Sequence, residues 1–142
     1  MRIVRVGDAS LVDRSTTVKD VMTPDPMTLT PEATVGEAHA LMKENGFRHV
    51  PVMEGESLVG ILSMTDIGHL GATIPAVRSR IVGEVMTRKP FTISCHERVE
   101  VAAAQMAVRK VHCLLVVDAE KLVGIVTTYD LLDALARDLR TQ

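Results

Sequence analysis

Apolar and polar positions along this chain fall into a pattern that occurs twice. A short helical turn, Val18-Lys19-Asp20-Val21-Met22, leads into a proline-containing loop and a strand predicted near Met27–Thr30. From about Thr34 to Asn45 the residues Val35, Ala38, Leu41 and Met42 recur at helical spacing, which predicts an amphipathic helix. Gly46 is positioned to end it in a left-handed conformation. Two β-rich runs, His49–Met53 and Leu58–Ser63, are joined by Glu54-Gly55-Glu56-Ser57 and predict a hairpin. A second helix is expected from around Thr65.

Sliding the sequence by 64 residues aligns Val18–Ile67 with Val82–Leu131 without a gap. Identities fall at 17 of the 50 positions, where ordinary residue frequencies would supply about three. The second copy predicts a strand at Phe91–Ser94, a helix at Arg98–Arg109, a hairpin from Cys113–Val117 and Leu122–Thr127, and a longer helix from Tyr129 to about Arg140. Each unit is therefore β-α-β-β-α. A unit of roughly 50 residues buries little of its surface alone. The expected architecture is an α/β fold of two such repeats related by pseudo-twofold symmetry. Residues 1–17 form an N-terminal extension, where Ile3, Val4 and Val6 could add an edge strand. Repeat 1 spans 18–71, a linker 72–81, and repeat 2 82–142.

Composition narrows the picture. Hydrophobic residues make up 46% of the chain, yet it has no Trp, one Tyr and two Phe, so the core must be aliphatic. A charged fraction of 24% argues against general disorder. The net charge of −2 offers no field to attract DNA. The stretch with Arg78, Arg80, Arg88 and Lys89 is diluted by Glu84 and reads as a solvated face. No apolar run approaches the ~20 residues of a membrane span, and the N-terminus reads as no signal peptide. Two cysteines, Cys95 and Cys113, give no disulfide framework and suit a reducing cytosol, so a cytoplasmic location is expected.

The fragments Asp20-Val21-Met22-Thr23, Arg48-His49-Val50-Pro51-Val52 and Gly60-Ile61-Leu62-Ser63-Met64-Thr65-Asp66 carry a family resemblance. So do Glu84-Val85-Met86-Thr87, Val111-His112-Cys113-Leu114-Leu115-Val116-Val117-Asp118 and Gly124-Ile125-Val126-Thr127-Thr128-Tyr129-Asp130. Together they resemble the signature segments of CBS (cystathionine-β-synthase) domains, which pair into Bateman modules. The resemblance covers about residues 18–136. It implies adenosine-type ligands (AMP, ADP, ATP or a related adenosyl molecule) held in clefts between the repeats. It also implies a regulatory role toward an enzyme or transporter, a free-standing module pairing as a homodimer, no catalysis and no required cofactor. The competing reading is a structural dimerisation module without a functional ligand site.

The element Gly-h-h-Ser/Thr-x-x-Asp (h apolar) is the best binding candidate: Gly60…Ser63…Asp66 and Gly124…Thr127…Asp130. A carboxylate can accept hydrogen bonds from both vicinal ribose hydroxyls, and a hydroxyl at a helix start can hold a phosphate oxygen. By resemblance, Asp66 and Asp130 are ribose ligands, with Ser63 and Thr127 near the sugar or phosphate. The same residues are also favoured helix N-caps, and both roles can coexist. Phe47-Arg48-His49 and Val111-His112-Cys113 enter the middle strands. Arg48 could clamp a phosphate and His112 add a pH-sensitive contact, unless they are exposed strand ends. Phe47 and Val111, with Ile61 and Ile125, would flank an adenine or pack in the core. By resemblance Asp130, Phe47–His49 and His112 share one cleft, and Asp66, Val111–Cys113 and Arg48 the other.

The copies differ. Leu115 replaces Pro51, Cys113 replaces His49, Arg98 replaces Thr34 and Lys110 replaces Gly46, so equal sites are not expected. Cys95-His96 and His112-Cys113 lack the spacing of a zinc motif, and no metal site is predicted. No Walker A or G-x-G-x-x-G sequence suggests nucleotide hydrolysis.

Overall fold

A computed structural model describes residues 15–141; the edge strand expected from Ile3, Val4 and Val6 lies outside the described residues. In chain order the elements are α1 (Val18–Val21), β1 (Thr23–Pro24), α2 (Val35–Asn45), β2 (His49–Glu54), β3 (Ser57–Ser63) and α3 (Met64–Leu70). Then come α4 (Pro75–Arg78), α5 (Val82–Val85), β4 (Thr87–Arg88), β5 (Thr92–Ser94), α6 (Val99–Arg109), β6 (Cys113–Asp118), β7 (Lys121–Thr127) and α7 (Thr128–Thr141). The two α/β repeats are present, and the principal helices and both hairpins begin within a residue of expectation. Gly46 closes α2 at φ 73°, in the left-handed region foreseen for it.

One expectation needed correction. The strand near Met27–Thr30 reduces to one parallel bridge, Leu29 to Val52, whereas its counterpart β5 runs in parallel along β6. The cause is a missing donor. After β5, the Cys95 N–H bonds the Val117 carbonyl at 3.0 Å; the position 64 residues earlier is Pro31, which has no N–H. The segment between the repeats has structure of its own. It contains α4, whose Val77 packs against the neighbouring core and whose Arg78 donates to the Ala72 carbonyl at 3.2 Å.

The chain packs as two units, residues 26–91 and residues 15–25 with 92–141. These do not coincide with the sequence repeats, because each unit takes its lead-in from the first residues of the other repeat. In one, β1 pairs antiparallel with β7, Thr23 opposite Ile125, in a sheet ordered β1-β7-β6-β5. In the other, β4 pairs antiparallel with β3, Thr87 opposite Ile61, in a sheet ordered β2-β3-β4. The anchoring bonds match across the 64-residue shift. Val18 N–H donates to Glu97 and Val99 N–H to Thr16, while Val82 N–H donates to Ala33 and Val35 N–H to Arg80.

This exchange explains the motif glycines. A Cβ on Gly124 would collide with the Met22 side chain and lie 2.9 Å from the Thr23 carbonyl. On Gly60 it would lie 2.5 Å from the Met86 sulfur and 2.9 Å from the Thr87 carbonyl. Glycine is required so that the lead-in strand can cross closely. Each unit has its own aliphatic core. One gathers Val35, Ala38, Met42, Val50, Val52, Leu62, Ile67 and Val82, and the other Val18, Ile93, Ala102, Met106, Leu114, Val116 and Val126.

Candidate functional site

Both Gly-h-h-Ser/Thr-x-x-Asp elements fold as the end of a strand running straight into a helix. At the first, Ser63 is the N-cap of α3, its Oγ accepting the Asp66 N–H at 2.9 Å. Asp66 is exposed, and its carboxylate has no hydrogen-bond partner among the described residues. At the second, Thr127 and Asp130 engage each other in both directions. The Asp130 N–H donates to Thr127 Oγ1 at 3.2 Å, while Asp130 Oδ2 accepts the Thr127 N–H at 2.9 Å and its hydroxyl at 3.1 Å. Asp130 Oδ1 accepts a long bond, 3.4 Å, from Thr23 Oγ1 on the lead-in strand β1.

Within each repeat the middle-strand entry lies beside this element. His49 pairs with Ser63 in the β2–β3 ladder, and the Arg48 carbonyl accepts the Met64 N–H at 2.7 Å. Arg48 is exposed and its guanidinium reaches Thr65 Oγ1 at 3.4 Å; Phe47 and His49 are half-buried. In the second repeat Cys113 pairs with Thr127, and the His112 carbonyl accepts the Thr128 N–H at 2.9 Å. The His112 ring is exposed, whereas Val111 packs against the core. Burial pushes the Cys113 thiol up to about 12, which leaves it protonated and poorly nucleophilic at neutral pH. Ile61 is half-buried and Ile125 buried.

A depression of about 300 Å³ opens beside Asp130. Its walls come from α1, β1 and α7, and its charged lining is Asp20, Asp130, Asp133 and Arg137. Asp20 accepts the Thr17 N–H at 2.8 Å and so caps α1, while Arg137 is ion-paired with Asp133 one turn away on α7. Sequence reasoning did not connect Asp20, Thr23, Asp133 or Arg137 to this site. A two-residue strand carries no periodicity, so nothing in the apolar pattern announces that β1 joins the sheet of the other repeat.

Comparison with known proteins now decides the family: the CBS domain model matches residues 18–69 and 82–137. The chain belongs to the CBS domain family. Among curated relatives of this CBS pair, it is 34% identical to YlbB of Bacillus subtilis over 118 residues, 82% of this chain and 80% of YlbB. It is 35% identical over 107 residues to an inosine-5′-monophosphate dehydrogenase of Korarchaeum cryptofilum; the match takes 75% of this chain and 21% of that enzyme. Two solved structures are close in fold. CBSX2 in complex with AMP superposes with a TM-score of 0.73 at 30% identity, covering 86% of this chain and 97% of that one. The CBS domain pair of protein MJ0100, in complex with 5′-methylthioadenosine and S-adenosyl-L-methionine, gives 0.77 at 29% identity, covering 86% and 97%. Among the described residues no helix is long and apolar enough to cross a membrane.

Proposed function

We propose that this CBS pair is a regulatory module that binds adenosyl ligands, without turning them over, and modulates a partner protein. Asp66 and Asp130 serve as the ribose carboxylates, with Ser63, Thr127, Arg48 and His112 as the polar contacts. Phe47, His49, Ile61, Val111, Cys113 and Ile125 complete the contact set. The AMP held by CBSX2 and the adenosyl ligands held by MJ0100 support the ligand class. The observation that carries most weight is the fixed orientation of Asp130 beside the depression. Thr127 holds one carboxylate oxygen, and the other is left with a single long contact. A pre-oriented acceptor loses less entropy on binding, which favours the second-repeat element as the stronger site.

The lining sharpens the ligand class. Three carboxylates face one guanidinium around the depression, and that guanidinium is already paired with Asp133. Such a surface disfavours a polyphosphate and favours an adenosyl ligand that is neutral or cationic. Isothermal titration should rank S-adenosylmethionine and 5′-methylthioadenosine ahead of AMP, and AMP ahead of ATP. Asp130→Ala should weaken the tightest of them about tenfold or more, the loss of one or two charge-assisted hydrogen bonds. Absence of binding by all four at millimolar concentration would end the proposal.

The use of Asp130 as a helix cap favours a second reading, a dimerisation scaffold whose motif is retained for folding. Tyr129, Leu132 and Leu139 are exposed on one face of α7 and offer a surface for a second copy in either case. The melting midpoint separates the readings, since a ligand of the native state must raise it. Cys95 and Cys113 are both free thiols, which fits a reducing, cytoplasmic setting.

A further inference from the structure

A mixed set of ligand atoms converges at the far edge of the four-stranded sheet, where the sequence suggested no metal site. Ser94 at the end of β5 stands opposite Val117 in the parallel ladder, and the Cys95 N–H continues it to the Val117 carbonyl. The next residues, Cys95-His96 on one side and Asp118 on the other, therefore leave the sheet side by side. Ser94 Oγ accepts the His96 N–H at 3.1 Å across the turn that ends β5. A tight turn with Ala119 and Glu120 at positive φ follows Asp118. One ligand atom each from Cys95, His96 and Asp118 lies within 4.8 Å of the others.

We propose that Cys95, His96 and Asp118 form a binding site for a zinc-class divalent cation. His96 Nε2 lies 3.3 Å from Asp118 Oδ1. Two ligands at zinc–nitrogen and zinc–oxygen bond lengths in a tetrahedron are separated by about 3.3 Å, so this edge is already formed. Closing the sulfur onto the same centre requires a shift on the order of 1 Å, given a zinc–sulfur bond of about 2.3 Å. The shift falls to the exposed His96 and Asp118, because Cys95 is buried with 2% of its surface accessible. Thiolate, imidazole and carboxylate together suit Zn²⁺ or Co²⁺ rather than Mg²⁺ or Ca²⁺, and a water would supply the fourth position. The first repeat is an internal control. Its residues at the same three places are Pro31, Glu32 and Glu54, which offer neither sulfur nor imidazole.

Titration of the metal-free chain with Co²⁺ tests the site, because a cysteine ligand produces thiolate-to-cobalt charge-transfer absorption. The expected result is one Co²⁺ per chain, displaced by Zn²⁺ and not by Mg²⁺. Cys95→Ser removes the charge-transfer band and Cys113→Ser keeps it. His96→Ala and Asp118→Asn, at exposed positions where folding is not at stake, each weaken binding about tenfold or more. A chain without the band overturns the proposal, as does a band that survives Cys95→Ser or one that vanishes with Cys113→Ser. Equal affinity in His96→Ala and the parent chain also overturns it, and reduces the 3.3 Å contact to a surface ion pair.

Discussion

The two strand-to-helix elements share Gly, Ile and Asp at matching places and finish with different hydrogen bonds. In the first repeat Ser63 caps α3 and leaves the Asp66 carboxylate to solvent. In the second, Thr127 and Asp130 close a reciprocal capping box, and Asp130 is steadied from a third direction by Thr23. One carboxylate is thus a free acceptor and the other a pre-oriented one. A duplicated motif therefore need not yield duplicated geometry, and the difference lies in whether the Asp carboxylate reaches back to the N-cap residue.

Beneath that difference the repeats share a constraint, and breaking it carries the largest expected effect. Gly60→Ala and Gly124→Ala each drive a methyl group into the crossing strand, against the Thr87 and Thr23 carbonyls respectively. Both should destabilise the protein by about 1–3 kcal/mol, the usual range for overpacking. Urea unfolding checks this; a glycine that tolerates alanine without loss would show that the lead-in strand does not hold its position there.

Next in size is the pair that sets the elements apart. Asp130→Asn removes the charge that accepts the Thr127 N–H and hydroxyl, and should cost about 1 kcal/mol, as the loss of a cap does. Asp66→Asn alters a carboxylate with no partner among the described residues, and its effect should stay within about 0.5 kcal/mol. Equal losses in the two variants would erase the asymmetry.

Much of this was legible in the chain because the relevant signals are local. The register of 64, the helix with Val35, Ala38 and Met42 inward, and the left-handed Gly46 all follow from spacing and residue type. The exchange of lead-in segments was not legible, since Thr23–Pro24 and Thr87–Arg88 are too short to carry alternation and pair with strands far along the chain. Pro31 did carry a readable signal, a missing donor beside a predicted strand, which the apolar pattern of Met27–Thr30 outweighed. The motif glycines read as part of a ligand-binding element; their packing role depends on a neighbour that only the fold supplies.

The middle-strand entry separates the repeats by pH. Burial raises the Cys113 thiol from 9.0 to about 12 in the folded chain, whereas in the first repeat the place belongs to His49. An acid whose pKa is raised by folding loses its proton more readily when unfolded. Its effect on stability is therefore nil below pH 9, and stability falls as pH climbs from 9 toward 12. Thermal melting between pH 8 and about 10.5 should show a decline that Cys113→Ala partly removes. Iodoacetamide at pH 8 should modify Cys113 slowly in the native protein and quickly in urea. Fast native modification would mean that the thiol is not desolvated.

A further contrast between the repeats lies one turn earlier, at the helix ends. Both α2 and α6 finish on a left-handed residue, Gly46 at φ 73° and Lys110 at φ 56°. A side chain in that region costs about 1–2 kcal/mol, and glycine gives back about 0.5–1 kcal/mol of that through the greater freedom of its unfolded chain. Lys110→Gly should therefore stabilise the protein by roughly 0.5–1 kcal/mol, and Gly46→Ala should destabilise it by a similar amount. The sign of the first is the informative part, because most substitutions destabilise. A Lys110→Gly variant that melts lower than its parent would show that the lysine contributes a contact worth more than the strain of its backbone. The second repeat would then have compensated for losing its glycine, rather than merely tolerating the loss.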